Sequence, residues 1–307
     1  MEEGIELWLA VVKNASVVSP ELLNLVPRAI PLLDDQTHTL KRILAIIEGY
    51  VLLATLPTLS LYAQTITEKI SLMLGDLKPA ASNSLLSFLD IILQCCNLAQ
   101  SFKAIGQMIY NGPLIRKLLE VIVQGTEMTQ VIVGYLVLLS RMVYYDPDLF
   151  IQAINAIHPT LLDSFIVVLL DKFDNIGQRK QRKMCVLALA SLIGTGNTIV
   201  MGHIEGISAT ITSVIIDIAG MPSSESLLFT FESRDIDDDA DCPETSRREL
   251  LHSHDVLFVD RSVVSVTQAK LQECEQRTGG QNMKLFFDKV DKEILQQLQH
   301  VLTTAKP

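Results

Sequence analysis

This 307-residue sequence predicts an all-α fold, an α-solenoid of stacked antiparallel helix pairs, on three observations. Apolar residues recur at the i, i+3, i+4 spacing of helices over most of the chain. Glycine and proline are sparse, at 15 and 11 residues, which disfavours a β-sandwich or barrel with its frequent turns. The helical segments also repeat in pairs whose first helices start roughly 35 to 50 residues apart, the range of HEAT-type units.

The first pair opens with Ile5, Leu7, Trp8, Leu9, Val11 and Val12, and Asn14 and Ser16 break the run. Ser19-Pro20-Glu21 is a helix start: a Ser N-cap, Pro in the first turn and a carboxylate at the positive end of the dipole. Leu22, Leu23, Leu25, Val26, Ile30 and Leu33 then follow at helical spacing. The second pair is expected over 39–53 and 59–74, with Pro57 as the stop between them.

A third pair spans 81–98 and 114–123, with a shorter helix over 102–110 between them. The fourth covers 128–145, restarts at Asp146-Pro147-Asp148, breaks at His158-Pro159 and continues over 161–173. The fifth runs over 178–193 and 197–218. Many of these helices are apolar around more than one stripe, as stacking on both a partner and the neighbouring repeats requires. Ten or more helices in series exceed a single four-helix bundle.

The pattern stops after Met221-Pro222. The domain reading is therefore a HEAT-repeat array over 1–222, an acidic loop or disordered insertion over 223–250, and C-terminal helices over 251–307 that close the array. The insertion contains Glu232, Asp235, Asp237, Asp238, Asp239, Asp241 and Glu244, a like-charged polar run with few apolar anchors.

An apolar share of 49% excludes general disorder, and the net charge of −10 argues against a nucleic-acid partner. A basic protein partner suits that charge better. The five cysteines (Cys95, Cys96, Cys185, Cys242, Cys274) form no CxxC pair and no disulfide framework, and they suit a reducing compartment. Asn14-Ala15-Ser16 is a formal glycosylation sequon, but the acidic Met1-Glu2-Glu3 start is not that of a secretory signal. Val131 to Val143, the most hydrophobic stretch, is too short for a bilayer and contains Arg141, so a soluble intracellular protein is expected.

No catalytic signature is found, and neither a cofactor nor a metal is expected. Gly194-Thr195-Gly196 resembles the start of a dinucleotide fingerprint, but Ile199 stands where the third glycine belongs. Walker A, Gly-x-Ser-x-Gly and His-Glu-x-x-His sequences are missing. Read as a calcium loop from Asp235, the acidic run has Ala240 for the turn glycine and Ser246 for the bidentate Glu. His252-x-His254 supplies two potential metal ligands without a nearby cysteine to complete a set, and reads as a pair of loop histidines.

Two charge clusters are candidate partner-binding residues. Asp235, Asp237, Asp238, Asp239 and Asp241 read first as a solvated loop, and alternatively as an electrostatic lure for a basic partner. Arg179, Lys180, Arg182 and Lys183 read first as pairing with Asp171 and Asp174, and alternatively as a nuclear localisation signal or a contact for an acidic partner.

Asp174-Asn175-Ile176-x-Gln178-x-x-x-Arg182-Lys183, followed by Leu187-Ala188-Leu189-Ala190-Ser191-Leu192, resembles late HEAT repeats of the importin-β karyopherins. Gly4-x-x-Leu7-Trp8-Leu9, Pro20-Glu21-Leu22-Leu23, Ile46-Ile47-x-Gly49-Tyr50 and Val290-Asp291-x-Glu293-Ile294-x-x-Gln297-Leu298 resemble the same family, in order along the chain. Asp260-Arg261-Ser262-Val263 departs from the Asp-Pro-Val-type segment often found in that family before its last helices.

The resemblance implies a nuclear transport receptor segment that binds protein cargo and nucleoporin Phe-Gly repeats and shuttles between nucleus and cytoplasm. It also implies regulation by the Ran GTPase in a full-length receptor. Receptors of that family are much longer and hold their main Ran site in N-terminal repeats, so a C-terminal portion with weak or no Ran binding is expected. The alternative is a HEAT-type scaffold without a transport role.

Overall fold

The computed structural model describes residues 2–33, 37–75, 77–219, 242–257 and 262–304. Among these residues every regular element is helical and no strand occurs. The helices are α1 (Glu2–Asn14), α2 (Pro20–Leu23), α3 (Val26–Ala29), α4 (Thr37–Leu53), α5 (Thr55–Ser71) and α6 (Pro79–Leu98). Then come α7 (Phe102–Asn111), α8 (Pro113–Gln124), α9 (Thr129–Tyr145), α10 (Pro147–Ile157), α11 (Leu161–Lys172) and α12 (Arg179–Gly194). The last are α13 (Thr198–Gly202), α14 (Ile204–Ala219), α15 (Pro243–His254), α16 (Val263–Thr278), α17 (Gly280–Phe287) and α18 (Lys292–Thr304).

Local chemistry places most of the boundaries. Ser19 caps α2 through its Oγ, which accepts the Leu22 N–H at 3.2 Å, and Pro20 opens the first turn. Asp146 caps α10 in the same way, accepting the Leu149 N–H at 2.9 Å ahead of Pro147. Gly125, at φ +63°, closes α8 in the left-handed conformation that glycine adopts without steric cost.

Three boundaries differ from the sequence expectation. Pro57 does not separate two helices: the chain breaks at Ala54, and α5 resumes at Thr55 with Pro57 in its first turn. The first N–H groups of a helix have no intrahelical acceptor, so proline costs nothing there. The expected helix over 22–33 is instead α2, α3 and a 3₁₀ turn at Ile30–Leu32, because Pro27 and Pro31 remove N–H donors from the ladder. The helix expected over 197–218 divides at His203, whose Nε2 lies 2.7 Å from Asp163 Oδ1.

The helices stack in two layers. In one layer α1, α4, α6, α9, α12 and α16 pack in succession; in the other, the turn at Ile30–Leu32 is followed by α5, α8, α11, α14 and α18. One core runs between the layers, holding Tyr50, Phe88, Tyr135, Phe150 and Phe165 with many Leu, Ile and Val side chains. Trp8 Nε1 donates to Tyr50 Oη at 2.9 Å and ties α1 to α4. Between α6 and α9 the Leu86 side chain packs against the backbone at Gly134, where a Cβ would lie 2.5 Å from Leu86 Cδ1.

The segment expected as an acidic loop over 223–250 is corrected from Pro243 onward. Residues Pro243–His254 form α15, with Glu244 and Leu251 buried. Among the described residues no single helix is long and apolar enough to cross a membrane.

Candidate functional site

Helix α15 lies back across the first layer, packing on α1, α4 and α6. Its sequence, PETSRRELLHSH, has little apolar periodicity, and ion pairs hold it down instead. Arg247 donates to the carbonyls of Ala15 at 3.0 Å and Lys13 at 3.3 Å, satisfying acceptors left open at the end of α1. Arg248 joins two carboxylates, Glu48 on α4 and Glu244 one turn earlier on its own helix, with Nε 2.8 Å from Glu244 Oε1. Burial opposes the charge on Arg248, but Glu48 and Glu244 outweigh it and raise the guanidinium above its ordinary range.

The strap ends at a second buried cluster. Asp255 receives Arg141 of α9 bidentately, at 2.7 and 3.1 Å, and Arg141 Nε reaches Asp90 Oδ1 of α6 at 2.5 Å. Arg141 also donates to Tyr145 Oη at 3.0 Å. Its side chain is 3% exposed and that of Asp255 2%. Desolvation works against this guanidinium, but Asp90, Tyr145 and Asp255 prevail and keep it charged. Leu251 and Val256 are buried as well.

Beside the strap lies a groove of about 700 Å³ along α6 and α9, walled by the start of α12 and by His252, Asp255 and Leu257. Leu86, Val133 and Val137 contribute apolar surface, and amide side chains of Asn83, Gln130 and Gln178 line it.

The sequence candidates map unevenly onto this face. Asp235, Asp237, Asp238, Asp239 and Asp241 lie outside the described residues. Glu244, counted with that acidic run, belongs to α15 and pairs with Arg248. Of the basic cluster, Lys180 lines the groove, whereas Arg182 pairs with Asp217 of α14 at 3.3 Å and stands 4.9 Å above the Phe173 ring. Helix α12 packs on α14, which brings Arg182 to Asp217, and Asp171 pairs with its neighbour Lys172 at 2.9 Å. Arg179 is exposed and Lys183 half-buried. His252 and His254 sit on α15 and not in a loop, and His254 Nδ1 lies 2.9 Å from the Leu250 carbonyl oxygen.

Glu48, Asp90, Arg141, Glu244, Arg248 and Asp255 were not singled out as site residues. A signal for three of them was present. Asp90 and Arg141 are the only charges in α6 and α9, and Glu48 stands in the apolar second half of α4, where an ion must find a partner or remain outside the core.

Among known protein families, the one described as "Importin-11-like, TPR repeats" matches residues 1–303. Human Importin-11 is 24% identical over 319 residues, a match that covers 98% of this chain and 32% of the relative. Importin beta-like protein kap113 of Schizosaccharomyces pombe is 23% identical, covering 98% of this chain and 30% of the relative. The chain thus spans about a third of the length of the curated relatives it matches. Lph2, a bidirectional nuclear transport receptor of S. cerevisiae, superposes with a TM-score of 0.83 at 18% identity, over 100% of this chain and 34% of Lph2. That likeness establishes the repeat fold.

Proposed function

The chain belongs to the importin-11-like family, and from that premise we propose that it is a nuclear transport receptor segment that binds protein cargo for passage through the nuclear pore. The observation that carries the reading is the family match from residue 1 to residue 303, which takes in both layers of the array and the strap. A stacked array suits this work because it offers long faces on which affinity is spread over many contacts and not concentrated in one pocket. Small changes at each junction between repeats alter its pitch, which lets one chain accommodate differently shaped partners.

In this reading the chain shuttles between cytoplasm and nucleus, touches nucleoporin Phe-Gly repeats, and releases cargo under Ran control within a full-length receptor. The aspartates at 235, 237, 238, 239 and 241 attract basic cargo at long range, since a cluster of like charge raises the encounter rate with an opposite one. Arg179, Lys180, Arg182 and Lys183 offer a second, oppositely charged contact area at the start of α12.

Two titrations test the reading. The 307-residue chain is expected to bind immobilised Phe-Gly repeat peptide, and to bind Ran-GTP with an affinity weaker than about micromolar. Lack of any binding to Phe-Gly repeats removes the transport reading and leaves a HEAT-type scaffold. Sub-micromolar binding of Ran-GTP places its site in this part of the receptor instead.

A further inference from the structure

Helix α15 is anchored at intervals along its length, and the anchors fall on different helices of the first layer. Arg247 reaches the carbonyls of Lys13 and Ala15 at the end of α1, and Arg248 reaches Glu48 of α4. Asp255, directly after the last turn, takes Arg141 of α9, and α15 packs on α6 as well. These are the first four helices of the first layer, in the order in which they stack.

The stiffness of a helix gives that spacing a consequence. Arg247 and Asp255 are about 12 Å apart along the axis, at 1.5 Å per residue. The Asp255 N–H donates to the His252 carbonyl at 3.1 Å, so the terminal anchor is fixed to the helix and not carried on a loose end. A loop extends when its ends are pulled, whereas a helix keeps its rise because each turn is hydrogen-bonded to the next. The attachment points on α1 and α9 therefore cannot draw apart unless an anchor breaks.

The seat of this helix is shaped for it. Three helices converge at Gly49 of α4, where a Cβ would lie 2.7 Å from Val12 Cγ1 of α1 and 3.4 Å from Glu244 Oε2 of α15. Glycine weakens a helix interior, and here its missing side chain leaves room for both neighbours.

The hold is also of a kind that can let go. Glu244 and Leu251 are the buried residues of α15, so lifting it uncovers little apolar surface. Its polar anchors exchange protein partners for water when it lifts. An element held this way opens at a lower free energy than the helices that share the core.

We infer that α15 is a strut that sets the curvature of the array. Docked, it joins α1, α4, α6 and α9 into one stiff body; released, it lets the junctions between them bend. The inference goes beyond the transport reading and does not depend on it, since it concerns only how the repeats are held.

Distances between pairs of spin labels test it. Ala10 on α1, Gln130 on α9 and Gln272 on α16 are exposed, and each is changed to Cys, two at a time, in a Cys242→Ser background that leaves only buried cysteines unlabelled. The releasing variant, Arg247→Ala/Arg248→Ala/Asp255→Asn, removes the anchors from the strap without altering an array helix. The distance between positions 10 and 130 should shift and its distribution broaden. The distance between positions 130 and 272, which the strap does not span, should stay as it was. An unchanged 10–130 distribution while the amides of 243–254 exchange freely overturns the proposal. So does equal broadening of both pairs, which signals general loosening, or full protection of 243–254 in the variant, which means that these anchors do not hold the helix. The original sequence gives a second measurement that needs no releasing variant. In rising urea its 10–130 distribution should broaden together with exchange at 243–254, before α4 and α6 lose protection; simultaneous loss in all three overturns the proposal.

Discussion

Arg141 and Asp255 are 114 positions apart in the chain and meet in a bidentate, solvent-excluded ion pair at 2.7 and 3.1 Å. The pair joins the fourth helix of the first layer to the end of the strap, so one contact bridges a long loop in sequence. Removing one partner of a buried pair leaves the other charge without compensation, which typically costs about 3–5 kcal/mol. Arg141→Leu should therefore lower the urea midpoint sharply, because it leaves Asp255 and Asp90 facing each other. Asp255→Asn should be milder, since Asp90 and Tyr145 still hold the guanidinium. Equal, small effects of the two changes would mean that the pair is open to water.

Arg248 gives a second test of the strap. It bridges Glu48 and Glu244, both buried, and Arg248→Ala leaves the two carboxylates without this shared guanidinium. Amide hydrogen exchange across residues 243–254 is expected to rise well above that of α4 and α6. Arg248→Lys should rescue this only in part, since an ammonium cannot present the planar fork that spans two carboxylates. Protection equal to the original chain in Arg248→Ala would place the anchorage of the strap elsewhere.

Much of this fold was legible in the sequence, and the reasons divide cleanly. The helices of both layers bury apolar stripes at the 3.6-residue period, and their caps at Ser19 and Asp146 use side chains that sequence alone identifies. Pro57 was misread because a proline marks either a break or a first turn, and only the position of the preceding break distinguishes them. Helix α15 was not legible because it is held by Arg247, Arg248 and Glu244 with a single buried leucine, so hydrophobic periodicity carries no record of it. Its partners, Glu48 and Asp255's Arg141, stand 200 and 114 positions away, and pairing at that range is set by the stacking of repeats.

The thiols give a chemical readout of the core. Burial pushes Cys95 up to about 12, with Glu48 adding to it, and burial likewise pushes Cys185 up to about 12. Cys96 is raised further still by burial beside Cys95, and Cys274 is raised by burial as well. Thiolate is the reactive form, so these four should stay inert to a disulfide reagent between about pH 7 and 9 while the chain is folded. Cys242, at the start of the strap and half-buried, should be the first to react. More than one thiol reacting rapidly under native conditions would contradict the packing of α6 and α12.

Replacing Asp235, Asp237, Asp238, Asp239 and Asp241 with Asn should leave the melting temperature nearly unchanged. It should slow association with a basic cargo, and the difference should shrink as salt rises, because screening shortens the reach of the field to about 8 Å at physiological ionic strength. Stopped-flow association at two salt concentrations measures both effects. A large loss of stability would instead assign these carboxylates a structural role, and an unchanged rate would make them a solvated linker.

Passage through the nuclear pore tests the transport reading most directly. The chain is fused to an inert fluorescent protein large enough to be held back from passive diffusion, and nuclear accumulation is followed in permeabilised cells. The fusion is expected to enter faster than the fluorescent protein alone, and excess soluble Phe-Gly repeat peptide is expected to slow it to the same rate. Exclusion of the fusion to the same degree as the fluorescent protein alone would contradict the reading.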